Sequence, residues 1–319
     1  MARAIDPSVL IPAAREGDRR SLARLITLIE NGDAIGSAAL AQVFPSGGNA
    51  WTTGLTGAPG AGKSTLTDQL IGRARESEAQ VAVVAVDPSS PFSGGAVLGD
   101  RVRMQDHVDD SGVYIRSMAS RGHLGGISAA TPRVVALLDG IGFPEILIET
   151  VGVGQAEVEI AGNADTTIVV VNPGWGDSVQ AAKAGLLEIG DIFVVNKADR
   201  PGVGETMRDL TQMLELGGRS GWSPPLLPTI ASSGEGVDEL WEAVQAHRRH
   251  LAETDELRSI RSERLVAEME TALMGELRNR VRATLPDSDW AQLTDRVSGR
   301  DIDPWSAAVE ILRVLGVPS

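Results

Sequence analysis

Between a short strand-like segment, Thr53-Gly54-Leu55-Thr56, and a stretch with helical spacing, Ser64-Thr65-Leu66-Thr67-Asp68-Gln69-Leu70, the chain carries Gly57-Ala58-Pro59-Gly60-Ala61-Gly62-Lys63-Ser64. Three of these glycines leave no Cβ where backbone N–H groups must close around an oxyanion. The helix that follows aims its positive end at the same point. Strand, glycine-rich loop and helix in this order predict a P-loop NTPase: an α/β domain with a mostly parallel, doubly wound sheet and helices on both faces. Gly57, Ala58, Pro59, Gly60, Ala61, Gly62, Lys63, Ser64 and Thr65 are therefore candidates for holding a triphosphate. Lys63 would supply a point charge to the β- and γ-phosphates, and the Ser64 hydroxyl is a hard oxygen suited to Mg²⁺. The competing reading is an ordinary glycine-rich turn, and a match at all eight positions in this context weighs against it.

A second signal sits at the end of the buried-strand run Asp191-Ile192-Phe193-Val194-Val195, where Asn196-Lys197-Ala198-Asp199 begins. Loops at strand carboxyl ends carry ligands in open α/β sheets. The Asp199 carboxylate can accept from the N1–H and the amino group of guanine, a donor pair that adenine lacks in that arrangement. Asn196 would tie this loop to the phosphate loop, and the Lys197 stem would cover one face of the base. Alone, four such residues often form a polar turn; after a phosphate loop and at a strand end they point to GTP and GDP as the ligands.

Between the two motifs, Ile146-Leu147-Ile148-Glu149-Thr150-Val151-Gly152 offers Glu149 and Gly152 where many GTPases carry Asp-x-x-Gly. Glu149 could hold a metal-bound water and the Gly152 N–H could sense the terminal phosphate, so Lys63, Glu149 and Gly152 form the expected catalytic set. The run Val81 to Val86 delivers Asp87 to the same sheet edge, and a Gly- and Ser-rich loop leads on to Asp100. Ser64, Asp87, Asp100 and Glu149 are the candidate metal residues, with a helix N-cap equally open for Asp100. The position after Gly152, where Ras-type enzymes place a water-orienting Gln, is Val153, and Gln155 comes two residues later. Slow hydrolysis until a partner completes the site is the expectation.

The chain of 319 residues contains no cysteine and has a formal charge of -14, which removes disulfides and thiolate sites and argues against a polyanionic partner. With no apolar run of membrane-spanning length and no secretory core at the start, the reading is a cytoplasmic, soluble protein with neither a nucleic-acid nor a membrane partner. Three parts are expected: an N-terminal helical extension over 1–50, a nucleotide-binding domain over 51–250 and a C-terminal helical extension over 251–319. Helical spacing runs from Ser21 to Gly32. Strand-like runs recur at Val81 to Val86, Ile146 to Ile148, Thr167 to Val171, Ile192 to Val195 and Leu226 to Ile230. Glu253 to Ala283 reads as one long charged helix whose apolar stripe, including Leu265, Met269 and Leu273, must pack elsewhere. Shorter helices follow around Trp290 and Trp305. Trp175, among glycines, is either a packing residue or an interface anchor. His247 and His250, three apart, read as a solvated helix face rather than a metal site.

Gly57 to Ser64, Val86-Asp87-Pro88-Ser89-Ser90-Pro91, Leu98-Gly99-Asp100-Arg101, Arg121-Gly122-His123-Leu124-Gly125-Gly126, Glu149-Thr150-Val151-Gly152-Val153-Gly154-Gln155 and Asn196-Lys197-Ala198-Asp199 together resemble the MeaB/ArgK family of methylmalonyl-CoA mutase-associated GTPases. The likeness runs through nearly the whole chain. It implies a G-protein chaperone of an adenosylcobalamin-dependent acyl-CoA mutase, in which GTP binding and hydrolysis gate loading and repair of the cofactor, and a homodimer built partly through C-terminal helices. Carried over by position, Lys63 and Ser64 contact phosphate and metal, Asp87, Asp100 and Glu149 surround Mg²⁺, Asp199 reads guanine, and Lys183 falls in a third switch loop. Two alternatives are weaker. A transport-linked kinase would need an acceptor site that no motif supplies, and a nickel-inserting GTPase would need Cys and His ligands near the nucleotide.

Overall fold

The computed structural model describes residues 6–87, 107, 109–119, 130–150, 160–174, 185, 187–216, 221–314 and 316. They divide into two compact units that meet in sequence at Arg258 and Ser259.

The first unit is built on seven strands: β1 (Trp51–Gly57), β2 (Val81–Asp87), β3 (Val113–Ala119), β4 (Glu145–Thr150), β5 (Thr166–Val171), β6 (Ile192–Asn196) and β7 (Leu226–Thr229). Their order is β3-β2-β4-β1-β5-β6-β7, and every pairing is parallel. The register sorts the side chains into two faces. Ala82, Val84, Val86, Tyr114, Met118, Ile146 and Ile148 share one core with α5 (Thr131–Ile141) and with the N-terminal helices α1 (Pro7–Arg15), α2 (Arg19–Glu30) and α3 (Ala34–Val43). Further along the same face, Val169, Val171, Phe193 and Val195 pack with α6 (Val203–Leu216). The alternate residues, among them Glu145, Glu149 and Thr166, face the side carrying α4 (Lys63–Glu76) and α7 (Val237–Glu253), which pack on each other.

The N-terminal helices are part of the domain core. Only α2 stands out in the sequence, because α1 contains Pro12 and α3 contains Gly36, two residues that interrupt a helical pattern. Gly36 is required by close packing, since a Cβ there would sit 2.6 Å from the Leu28 carbonyl carbon. Strand β3 was not expected either. Arg116 breaks its apolar pattern, and the structure turns that residue toward Glu30 on α2, where the two form an ion pair. On α5, Asp139 accepts N–H groups from Gly48, Asn49 (3.1 Å) and Ala50 (2.9 Å), fixing the entry to β1.

The long charged helix expected over Glu253 to Ala283 is α8 (Glu256–Thr284), which starts three residues later because α7 runs on to Glu253 and Asp255, at φ +58°, separates the two. The second unit contains most of α8 together with α9 (Asp287–Ser298) and α10 (Pro304–Val314). Arg282 lies over the Trp290 ring at 3.7 Å, and Arg296 pairs with Glu310 at 2.9 Å. Along α8 no residue is buried, and Leu265, Met269 and Leu273 are exposed.

Candidate functional site

The loop that leaves β1 is shaped by two glycines. Gly57 has φ +129°, and a Cβ on it would lie 1.9 Å from the Val170 carbonyl oxygen on β5. Gly62 has φ +96°, and its Cβ would lie 2.1 Å from Asn196 Nδ2. No other residue type fits either place without moving the neighbouring strand end. Gly62 is also the N-cap of α4 and offers no side-chain acceptor, so the first turn of the helix opens toward the loop.

Lys63 is buried and donates from Nζ to the carbonyls of Gly57 (2.7 Å) and Ala58 (3.0 Å), which holds the ammonium across the loop. Ser64, also buried, donates from Oγ to Glu149 Oε1. Glu149 reaches it because β4 lies beside β1, with Glu149 level with Leu55, and because the side chain belongs to the α4 face of the sheet. The α4 residue Thr67 stands 3.4 Å from Glu149 Oε2 and 3.0 Å from the Lys63 carbonyl. Thr65 is exposed at the start of the helix.

On the other side of the loop, Asn196 ends β6 and is 2% exposed. It donates to the Ala61 carbonyl (2.8 Å), while its own oxygen accepts from Thr229 Oγ1 (3.1 Å) and the Ala231 N–H (3.0 Å). Lys197, at φ +61°, donates to the Gly60 carbonyl at 2.5 Å, and Asn172 at the end of β5 donates to that same oxygen at 3.5 Å. Asp199 is exposed beyond them. The structure thus brings Gly57 to Ser64, Glu149, Asn196 and Lys197 into one site at the carboxyl ends of β1, β4, β5 and β6. Asp87 stands at the end of β2. Asp100, Gly152, Val153, Gln155, Trp175 and Lys183 lie outside the described residues. Thr67, Asn172, Thr229 and Ala231 complete the site without having been singled out in the sequence.

Ser64 and Glu149 together supply a hydroxyl and a carboxylate, hard oxygens of the kind Mg²⁺ takes, beside a buried ammonium that balances phosphate charge. A family model described as methylmalonyl-CoA mutase-associated GTPase MeaB matches residues 22–285. The chain belongs to the MeaB family. A Pyrococcus horikoshii protein named as a GTPase is 48% identical over 307 residues, covering 95% of this chain and 96% of its own. GTPase ArgK of Escherichia coli is 35% identical over 261 residues, 79% of each chain. A crystal structure of a LAO/AO transport system kinase superposes with a TM-score of 0.72 at 24% identity, covering 99% of both chains, and supports the fold. As a MeaB-family GTPase, the chain binds guanine nucleotide and hydrolyses GTP.

Away from this site, the expectation of a solvated His247 is overturned. The ring is 3% exposed, with Nδ1 2.9 Å from Thr166 Oγ1 and Nε2 3.8 Å from Asp191. Trp222 packs on it at 4.8 Å and on His250 at 5.2 Å. The pair serves packing of α7 against the amino edge of the sheet. Nearby, Glu145 pairs with Arg248 at 2.8 Å, and burial pushes its carboxyl above the usual range against the pull of that guanidinium.

Proposed function

We propose that this GTPase is a Mg²⁺-dependent switch that acts as chaperone of an adenosylcobalamin-dependent acyl-CoA mutase of the methylmalonyl-CoA type, gating the loading and repair of its cofactor. The observation that carries the nucleotide half of this reading is the Asn196 strap from the guanine-side loop to Ala61 of the phosphate loop. The description of the family as mutase-associated supports the client half.

In this reading Gly57 to Thr65 surround the phosphates, Lys63 balances their charge, and Ser64 and Glu149 hold the metal side together with Asp87 and Asp100. The Gly152 N–H senses the terminal phosphate. Asp199 reads guanine while Asn196 and Lys197 position its loop. Bound Mg²⁺ would supply charge neutralisation at the β- and γ-phosphates. Val153, in place of a water-orienting amide, leaves hydrolysis to be completed by the client. The exposed α8 stripe of Leu265, Met269 and Leu273 suits a homodimer made partly through the C-terminal helices, since a monomer would leave it in water.

The test is co-purification with candidate cobalamin mutases in GDP and in a non-hydrolysable GTP analogue. A complex whose yield depends on the nucleotide, with GTP turnover raised by the mutase, is expected. No nucleotide-dependent complex with any such mutase, or fast turnover by the isolated protein, would overturn the chaperone reading.

A further inference from the structure

Thr67 is fully buried on α4, one turn beyond Lys63 and three residues beyond Ser64. Residues three apart share a helix face, so the Ser64 and Thr67 hydroxyls both look toward β4, where Glu149 stands. Ser64 Oγ meets Oε1 of that carboxylate, and Thr67 Oγ1 lies 3.4 Å from Oε2.

The plain explanation of Thr67 is a bond from its hydroxyl to the carbonyl four residues back, and that bond is present at 3.0 Å to Lys63. It does not account for the choice of residue. The Lys63 carbonyl lies where the helical N–H of Thr67 serves it, so the hydroxyl is not needed there. A valine would have the same shape, would cost no buried hydroxyl, and would leave the carboxylate oxygen against a methyl group.

The length of the acidic side chain supplies the missing reason. Glutamate has one more methylene and one more rotatable bond than the aspartate common in this motif. That extra bond gives the carboxylate more orientations to choose among, and a contact at the second oxygen narrows them. We propose that Thr67 is a positioning residue for the metal side of the nucleotide site: its one hydroxyl proton, shared between the Lys63 carbonyl at 3.0 Å and Oε2 of Glu149 at 3.4 Å, steadies the second carboxylate oxygen while Ser64 engages Oε1. The inference rests on the reading of Ser64 and Glu149 as the metal-side pair.

The test follows release of a fluorescent GDP analogue by stopped flow while Mg²⁺ is titrated from chelator to excess, in wild type, Thr67→Val, Thr67→Ser and Glu149→Gln. A long hydrogen bond with a shared proton lies at the low end of the usual range, about a factor of three in affinity. Thr67→Val should therefore move the Mg²⁺ midpoint upward about threefold, and Thr67→Ser, which restores the hydroxyl, should return it close to the wild-type value. A merely structural role would shift the thermal midpoint and leave the Mg²⁺ midpoint in place. A wild-type midpoint in Thr67→Val, or equal shifts in the Val and Ser variants, overturns the inference even where Glu149→Gln moves the midpoint. Release that ignores Mg²⁺ in wild type, or a wild-type midpoint in Glu149→Gln, removes the metal-side reading beneath it. Should the valine variant fail to fold, Thr67→Ala against Thr67→Ser makes the same comparison.

Discussion

Replacing Asn196 with alanine should cost stability and nucleotide binding together, by an amount the structure sets. The side chain is 2% exposed and makes three hydrogen bonds, to the Ala61 carbonyl, the Thr229 hydroxyl and the Ala231 N–H. Ala61, Thr229 and Ala231 are themselves buried, so water does not replace the missing partner freely. Leaving a buried donor or acceptor unpaired costs about 1–3 kcal/mol, and taking the low end for each of the three gives about 3 kcal/mol. At about 2–4 °C per kcal/mol for a domain of this size, the thermal midpoint should fall by about 6–12 °C. Thr229→Val removes one of these bonds and keeps the side-chain shape, so it should lower the midpoint by only about a third as much. The assay is thermal unfolding of both variants with and without GDP. The gain in midpoint on adding GDP should shrink in Asn196→Ala, which loses its hold on the phosphate loop, and persist in Thr229→Val, which does not. Equal shifts in the two variants, or a fall of less than about 2 °C in Asn196→Ala, would refute the argument that this side chain is the strap.

Lys63→Ala should abolish nucleotide binding, measured by equilibrium titration, because it removes the buried ammonium set across the phosphate loop. Asp199→Asn should weaken GTP relative to other purine nucleotides in competition assays; an unchanged base preference removes that residue from the guanine site. Met269→Lys combined with Leu273→Lys, at positions 64% and 56% exposed, should halve the mass seen by sedimentation while leaving GTP binding intact, and an unaltered mass refutes the α8 interface. Glu145, whose carboxyl burial holds above the usual range, binds its proton more tightly in the folded than in the unfolded state. Its contribution to stability is therefore complete below its unfolded pKa of about 4.3 and is lost as pH rises through the higher folded value. In urea titrations the stability of wild type minus that of Glu145→Gln should decline as pH rises above about 4.3, and a flat or rising difference would contradict this.

The parts of the site legible in the sequence are those where the local backbone permits few residue types. Gly57 and Gly62 are forced by a carbonyl and an amide at contact distance, and so they stand out as glycines in a fixed frame. Asn196 and Lys197 were legible because a strand end places them. Thr67, Thr229 and Ala231 were not, because their types are common and their roles come from register and from a neighbouring helix. One usable signal was present. Ser64 and Thr67 fall three apart at the start of a helix, and Ser64 and Glu149 were both read as metal residues, so two hydroxyls and one carboxylate could have been paired. The sheet itself was read strand by strand except for β3, whose Arg116 satisfies its charge on α2 rather than in solvent. His247 was misread because a helix face seen in sequence does not show which side meets the sheet, and Trp222 covers the ring from a distant segment.

The directions of the loop's peptide groups explain why side chains from other strands matter to a phosphate site. A trans peptide points its C=O and the next N–H to opposite sides. When Asn196 holds the Ala61 carbonyl, the Gly62 N–H is turned away from Asn196; when Lys63 holds the Gly57 carbonyl, the Ala58 N–H is turned away from that ammonium. Lys197 and Asn172 act on the Gly60 carbonyl at the apex. Four cationic or amide donors thus take carbonyl oxygens that would repel an anion, and three of the four arrive from the ends of β5 and β6. Residues at the ends of β5 and β6 therefore set the peptide orientations of the glycine-rich loop, so loss of Asn196 should be felt in that loop as well as at its own strand end.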